Sequence, residues 1–151
     1  MGLPVDQRER LIEAAFSARE GSYSPYSKFR VGAALLTPDG QIIKGANIEN
    51  ASYGGTICAE RTALVKAVSD GTREFSALAV VTDVANAISP CGICRQFIRE
   101  FCSLSMPIFL VPADYSATAK TGEKGALLEM TLDALLPLSF GPEHLELPRG
   151  E

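Results

Sequence analysis

Apolar residues recur along this chain with more than one period, and each change of period marks an element. Leu11, Ile12, Ala15 and Phe16 fall on one face of a helix, Asp6 with Glu9 reads as a capping box, and Gly21 stops the pattern, so a helix is predicted over residues 6–20. Residues 31–36 form a nearly continuous apolar run. It ends at Pro38-Asp39-Gly40, a turn in which proline presets φ and glycine accepts positive φ, and residues 41–45 return as its hairpin partner. Consecutive apolar positions imply a strand covered on both faces, as in a sheet between helices.

Helical spacing resumes over 58–70, with Ala63, Leu64, Ala67 and Val68 inward and Gly71 as terminator. Residues 77–82 read as a buried strand and 92–102 as a third helix, with Phe97, Ile98 and Phe101 inward. A short strand at 108–111 precedes a polar stretch, 112–125, that reads as a mobile loop. Residues 126–130 form a last strand, and Thr131 caps a short helix over 132–136. In the tail, Phe140 lies between turn residues and either packs locally or reaches another subunit. The order α β β α β α β β α implies an α/β sheet with at least two right-handed helical crossovers and a ligand crevice at the strand ends.

The 151 residues suit one domain that buries about 70% of its unfolded surface, so no disulfide staple is needed. A net charge of −4 with no cluster of Lys and Arg gives no footprint for a polyanion, which argues against a nucleic-acid partner. No apolar run approaches a membrane span or a signal peptide, so a cytoplasmic, membrane-free protein is expected. Asp6 breaks the myristoylation pattern that Gly2 would begin, and the sequon Asn50-Ala51-Ser52 has no meaning without secretion. The four cysteines fit a reducing compartment.

Three of those cysteines carry the chemistry. Cys58-Ala59-Glu60-Arg61 and Pro90-Cys91-Gly92-Ile93-Cys94-Arg95 offer three thiolates for zinc with a carboxylate beside them, each motif opening a predicted helix. The backbone N–H groups and dipole of a helix N-terminus favour anions and so stabilise thiolates. Cys102 lies eight residues beyond Cys94, about 12 Å along a helix axis. Sulfurs sharing one zinc lie within about 4 Å of each other, so Cys102 reads as a buried apolar residue. His144, between Pro142 and Pro148, reads as a solvated surface residue. A site with three protein ligands and one open position is catalytic rather than structural. Three thiolates on Zn²⁺ leave a charge of −1, and Arg61 and Arg95 can donate to the sulfurs; exposed surface arginines are the alternative. In Asn47-Ile48-Glu49-Asn50, Asn47 and Glu49 face one way if extended, offering a donor and an acceptor to a sugar hydroxyl. Taken alone, those four letters fit an ordinary exposed loop better.

With these motifs, and with Pro25-Tyr26-Ser27-Lys28-Phe29-Arg30-Val31-Gly32-Ala33 and Ser139-Phe140-Gly141-Pro142, the chain resembles the cytidine deaminase family, specifically its small homotetrameric branch with three cysteine ligands. The resemblance implies a three-layer α-β-α fold with a mixed sheet of about five strands. It implies a single deaminase domain over 1–151 whose tail, about 137–151, reaches a neighbouring subunit, and one Zn²⁺ per subunit on Cys58, Cys91 and Cys94. It further implies that Glu60 moves protons between water, ring N3 and the departing ammonia during hydrolysis of cytidine or 2′-deoxycytidine in pyrimidine salvage. By the same likeness Phe29 packs on the pyrimidine, the Ala59 N–H binds its carbonyl, and Asn47 and Glu49 hold the ribose, which replaces the bland reading of that loop. Tyr53 and Phe140 contribute across subunit contacts. Two other readings stand beside this one: a closed, non-catalytic zinc module, and a deaminase of cytosine-like antibiotics, against which Asn47 and Glu49 argue. The 113–125 loop is longer than this branch usually has, and Gly54-Gly55-Thr56 matches no substrate contact.

Overall fold

A computed structural model describes residues 2–150. Helix α1 (Val5–Arg19) is followed by the hairpin β1 (Gly32–Leu36) and β2 (Ile42–Ala46), then α2 (Ala59–Ser69), β3 (Ala77–Val81), α3 (Gly92–Phe101), β4 (Pro107–Val111), β5 (Leu128–Thr131) and α4 (Leu132–Leu135). The five strands form one mixed sheet in the order β2-β1-β3-β4-β5, in which only the β3–β4 pairing is parallel.

Both β2 and β3 run antiparallel to β1, and are therefore parallel to each other. The α2 connection thus carries the chain across β1, and α3 carries it on from β3 to β4. These are the two crossovers expected from the pattern. They move in the same direction along the sheet, and α2 and α3 share one face of it. That face buries Ala33, Leu35, Leu78, Val80, Ile108 and Leu110 against Ala63, Leu64, Ile98 and Leu132. The intervening residues Ala34, Leu36, Ala79, Val81, Phe109 and Val111 point the other way and meet Leu11, Ile12 and Ala15 of α1. The period of two is hidden in the sequence because both faces are covered, and the result is three layers, α-β-α.

Glycine sets the spacing of these layers at two places. A Cβ at Gly32 would lie 2.1 Å from the Ala15 carbonyl oxygen of α1, and one at Gly45 would lie 2.4 Å from the Ala63 nitrogen of α2. Each helix therefore rests directly on strand backbone.

Some local expectations are corrected. The capping box at Asp6 and Glu9 does not form: Pro4 is the N-cap, its carbonyl accepts from Arg8 N at 2.9 Å, and no side chain caps the helix. Proline presets the φ needed at the entry, so the helix begins at Val5, one residue earlier than predicted, with its N-cap two residues before Asp6. Glu9 instead accepts from the Tyr115 hydroxyl at 2.8 Å, which ties the loop after β4 to α1. That loop is further closed by Ser116 N donating to Gly125 O at 3.0 Å, with Gly125 at φ +80°. The last strand begins at Leu128 rather than 126 and lies at the sheet edge, where mostly exposed residues leave a weak apolar pattern.

Candidate metal centre and active-site pocket

The carboxyl ends of β2 and β3, the amino end of β1 and the N-termini of α2 and α3 converge at one edge of the sheet. Cys58 is the N-cap of α2 and Cys91 the N-cap of α3, while Cys94 lies in the first turn of α3. Among the described residues, these three form a group able to hold a metal ion, with all sulfurs within 4.8 Å of one another. The Cys58 and Cys91 sulfurs are 3.9 Å apart. Two sulfurs at tetrahedral positions around zinc would be about 3.8 Å apart, given bonds of ~2.3 Å, so the cluster fits that ion.

Its electrostatics fit as well. The Cys94 N–H points at Cys91 Sγ at 3.5 Å, and Arg61 Nη2 donates to Cys58 Sγ at 3.7 Å. The neighbouring Cys94 sulfur, with help from Arg61 and Cys91, lowers the Cys58 pKa to about 5, while Cys58 and burial raise that of Cys94. Arg95 is placed differently from the expectation that paired it with the sulfurs. Its Nε donates to Pro90 O at 2.7 Å, Nη2 to Ser89 Oγ at 2.6 Å and Nη1 to Leu135 O at 2.8 Å. These acceptors occupy all of its nitrogens, so its work is to tie the loop that carries Cys91 to α4. Cys102 is buried in the core, where desolvation pushes its thiol up to about 12. His144 accepts from Gly141 N through Nδ1 at 2.9 Å and so closes a turn in the tail.

Glu60, in the first turn of α2, is only 4% exposed. Burial pushes its pKa up to about 7, against a lowering influence of the adjacent Cys94 thiol. A carboxyl poised near neutrality beside such a thiol cluster can both take and give a proton. It lines a cavity of about 210 Å³ together with Phe29, Asn47, Cys58, Ala59, Thr82 and Cys91.

Asn47 and Glu49 part company here. Asn47 is buried, and its amide is largely committed to backbone: Nδ2 donates to Phe29 O at 2.8 Å, and Oδ1 accepts from Val31 N at 2.9 Å. Glu49 lies in an adjoining outer cavity of about 420 Å³ with Tyr26, Ser27, Tyr53 and Thr56. Its carboxylate accepts from the Tyr26 and Ser27 amides at 3.0 and 3.1 Å, and the Ser27 hydroxyl holds its pKa below the usual range. Thr56 belongs to both cavities, which makes it their common wall. Nothing in Gly54-Gly55-Thr56 signalled this, because the site comes from the fold and not from a motif. Tyr53, 75% exposed, packs edge-on against Tyr26. Phe140 lies outside both cavities, 58% exposed and stacked on His144, with its carbonyl accepting from Gln96 Nε2 at 2.8 Å.

Fold and site together define an α/β protein with a three-cysteine cluster able to hold a metal at two helix N-termini and a buried carboxyl facing a small cavity. Residues 5–109 match the family model described as the cytidine and deoxycytidylate deaminase zinc-binding region. The chain is 54% identical over 137 residues to a cytidine deaminase of Sporosarcina psychrophila, covering 91% of this chain and 93% of that one. It is 49% identical over 138 residues to one of Halalkalibacterium halodurans, covering 91% and 97%. Among solved structures, the cytidine deaminase of Burkholderia pseudomallei superimposes with a TM-score of 0.75 at 45% identity, over 87% of this chain and 98% of that one. The chain belongs to the cytidine and deoxycytidylate deaminase family.

Proposed function

We propose that this enzyme hydrolyses the C4 amine of cytidine and 2′-deoxycytidine, giving the corresponding uridine and ammonia. The observation that carries the reading is a buried carboxyl, Glu60, beside three convergent thiols in a cavity with an aromatic wall. Cys58, Cys91 and Cys94 would hold one Zn²⁺ per subunit, which when bound supplies Lewis acidity and lowers the pKa of a water to ~7.

The chain's own residues supply the rest. Glu60 takes a proton from the attacking water and delivers it to ring N3 as oxygen adds to C4; it then takes the proton of the new C4 hydroxyl and delivers it to the amine nitrogen, so that the C4–N bond breaks, ammonia leaves and the C4 carbonyl forms. Phe29 offers its ring face to the pyrimidine. The N–H of Ala59, free at the first residue of α2, donates to the base carbonyl. Adjacent cavities meeting at Thr56 suit a base inside and a sugar outside, where Glu49 accepts from a ribose hydroxyl and Asn47 has an amide hydrogen left to donate. Arg61 draws charge from Cys58, while Arg95 acts through the Ser89-Pro90 wall.

The single chain does not bring Phe140 to its own cavity, and this supports an assembly in which the tail, about 137–151, completes a neighbour's pocket. An apolar groove of about 530 Å³ along α3, lined by Ile93, Phe97 and Phe101, supports a homotetramer with shared sites. A free-nucleoside substrate and the absence of a membrane-crossing helix among the described residues accord with a cytoplasmic role in pyrimidine salvage.

The test is direct. Purified protein given cytidine should lower the ultraviolet absorbance of the base and release one ammonia per turnover, and absence of both changes refutes the reading. Glu60→Gln should retain zinc and lose at least ~10²-fold in kcat. Single-stranded DNA, run in the same assay with deoxycytidine, should remain unchanged.

A further inference from the structure

The aromatic wall of the inner cavity is held in place by a carboxylate that lies outside it. Phe29 and Val31 enter the lining from a segment that belongs to no strand, and Lys28 just before them has φ +57°, the left-handed region that a side chain disfavours. Apart from the Val31 carbonyl, which accepts from Asn47 N at 3.3 Å, side chains rather than a sheet ladder hold this backbone. Phe29 N donates to Ser27 Oγ at 3.0 Å, Phe29 O accepts from Asn47 Nδ2, and Val31 N donates to Asn47 Oδ1. The remaining amide, Arg30 N, donates to Asp83 Oδ2 at 2.7 Å.

Asp83 directly follows Thr82, which lines the same cavity at the end of β3, beside the start of β1. Its carboxylate also accepts from Arg30 Nε at 3.1 Å and Nη2 at 2.8 Å. Arg30 Nη1 reaches Glu20 at 3.1 Å, and Arg19 Nη1 donates to Thr82 O at 2.8 Å while standing 3.9 Å from Asp83. One short network therefore fixes the distance between the Phe29 wall and the end of β3.

We propose that Asp83 is a positioning residue for substrate: by accepting from Arg30 N it sets how Phe29 stands over the cavity, and so sets affinity for the pyrimidine without touching it. The inference rests on the reading of this cavity as the base site. The backbone bond is the one that matters, because it is short and charge-assisted, whereas the Arg30 guanidinium is partly exposed and screened.

The experiment compares steady-state kinetics of the zinc-loaded full-length protein with Asp83→Ala, Asp83→Asn, Asp83→Glu and Arg30→Gln. Asp83→Ala should raise KM for cytidine on the order of tenfold, as loss of a charge-assisted bond implies, with kcat within about twofold and zinc content unchanged. Asp83→Asn keeps an acceptor for Arg30 N and should restore most of the KM. Arg30→Gln keeps the backbone donor and should stay near the original. Asp83→Glu retains the charge but displaces the acceptor, so it too should raise KM, and it serves if the alanine variant does not fold. A lowered Tm with unchanged KM in Asp83→Ala or Asp83→Glu overturns the proposal, as does an Arg30→Gln variant that matches Asp83→Ala. Failure of the unaltered protein to deaminate cytidine overturns the base-site reading and this inference with it; turnover with KM insensitive to Asp83 overturns the inference alone.

Discussion

Glu60, in the first turn of α2, and Cys102, the residue that closes α3, are both buried and ionisable, and their surroundings set them to opposite uses. Cys102 packs only against core residues, so desolvation alone raises its pKa and keeps it a neutral, apolar thiol. Replacing it with alanine should leave zinc stoichiometry unchanged, as measured by elemental analysis, and cost about 1 kcal/mol of stability for the lost volume. Loss of zinc in that variant would restore a closed four-ligand site. Arg61 is the complementary case, because it faces Cys58 Sγ and offsets thiolate charge. Arg61→Ala should weaken zinc retention about 10–100-fold in a chelator competition. Arg95→Ala should instead loosen the Ser89-Pro90 wall. The two arginines have the same relation to their motifs in the sequence. Only the acceptors around them, Leu135 O among them, tell them apart.

At the scale of elements, the predicted helices and strands match the observed ones to within a few residues, because apolar periodicity reflects local burial directly. The misses lie at ends and edges. Pro4 begins α1 where an acidic pair looked like a cap, and β5 has too little burial to show a pattern. Layer contacts were not legible either, since a glycine that admits a helix reads like a glycine in a turn. Gly32→Ala and Gly45→Ala should each destabilise the protein by about 3 kcal/mol, the upper end for overpacking, because the clashing atoms are backbone. Gly54→Ala meets no atom within 4 Å and should change stability by less than about 0.5 kcal/mol. Urea denaturation of the three variants measures the difference.

For the whole molecule, acid should act through the paired carboxylates. Arg30 holds Asp83 below its ordinary pKa and Arg99 does the same for Glu143, whose pairing pins the tail to α3. Because these folded-state values are depressed, the stabilisation is fully present above the unfolded values near 4 and is lost as pH falls through the folded ones. The urea midpoint should therefore drop between pH 5 and pH 3, and should drop less in Glu143→Gln. If the α3 groove joins subunits, Ile93→Glu, at a position 66% exposed in the single chain, should reduce the mass seen by light scattering and lower activity along with it.

The sequence by itself determined the order of elements, the three cysteines with their neighbouring Glu60, and the family resemblance. Each of these depends on residue type at short spacing, where helix and strand geometry leave few alternatives. Tertiary structure alone decided that Thr56 and Thr82 line the inner cavity, that Glu49 faces a second one, that Arg95 serves a loop, and that Asp83 spans from β3 to the Phe29 segment. Those relations join residues from separate strands and loops, whose distances arise only when the sheet order β2-β1-β3-β4-β5 brings the carboxyl ends of β2 and β3 beside the start of β1.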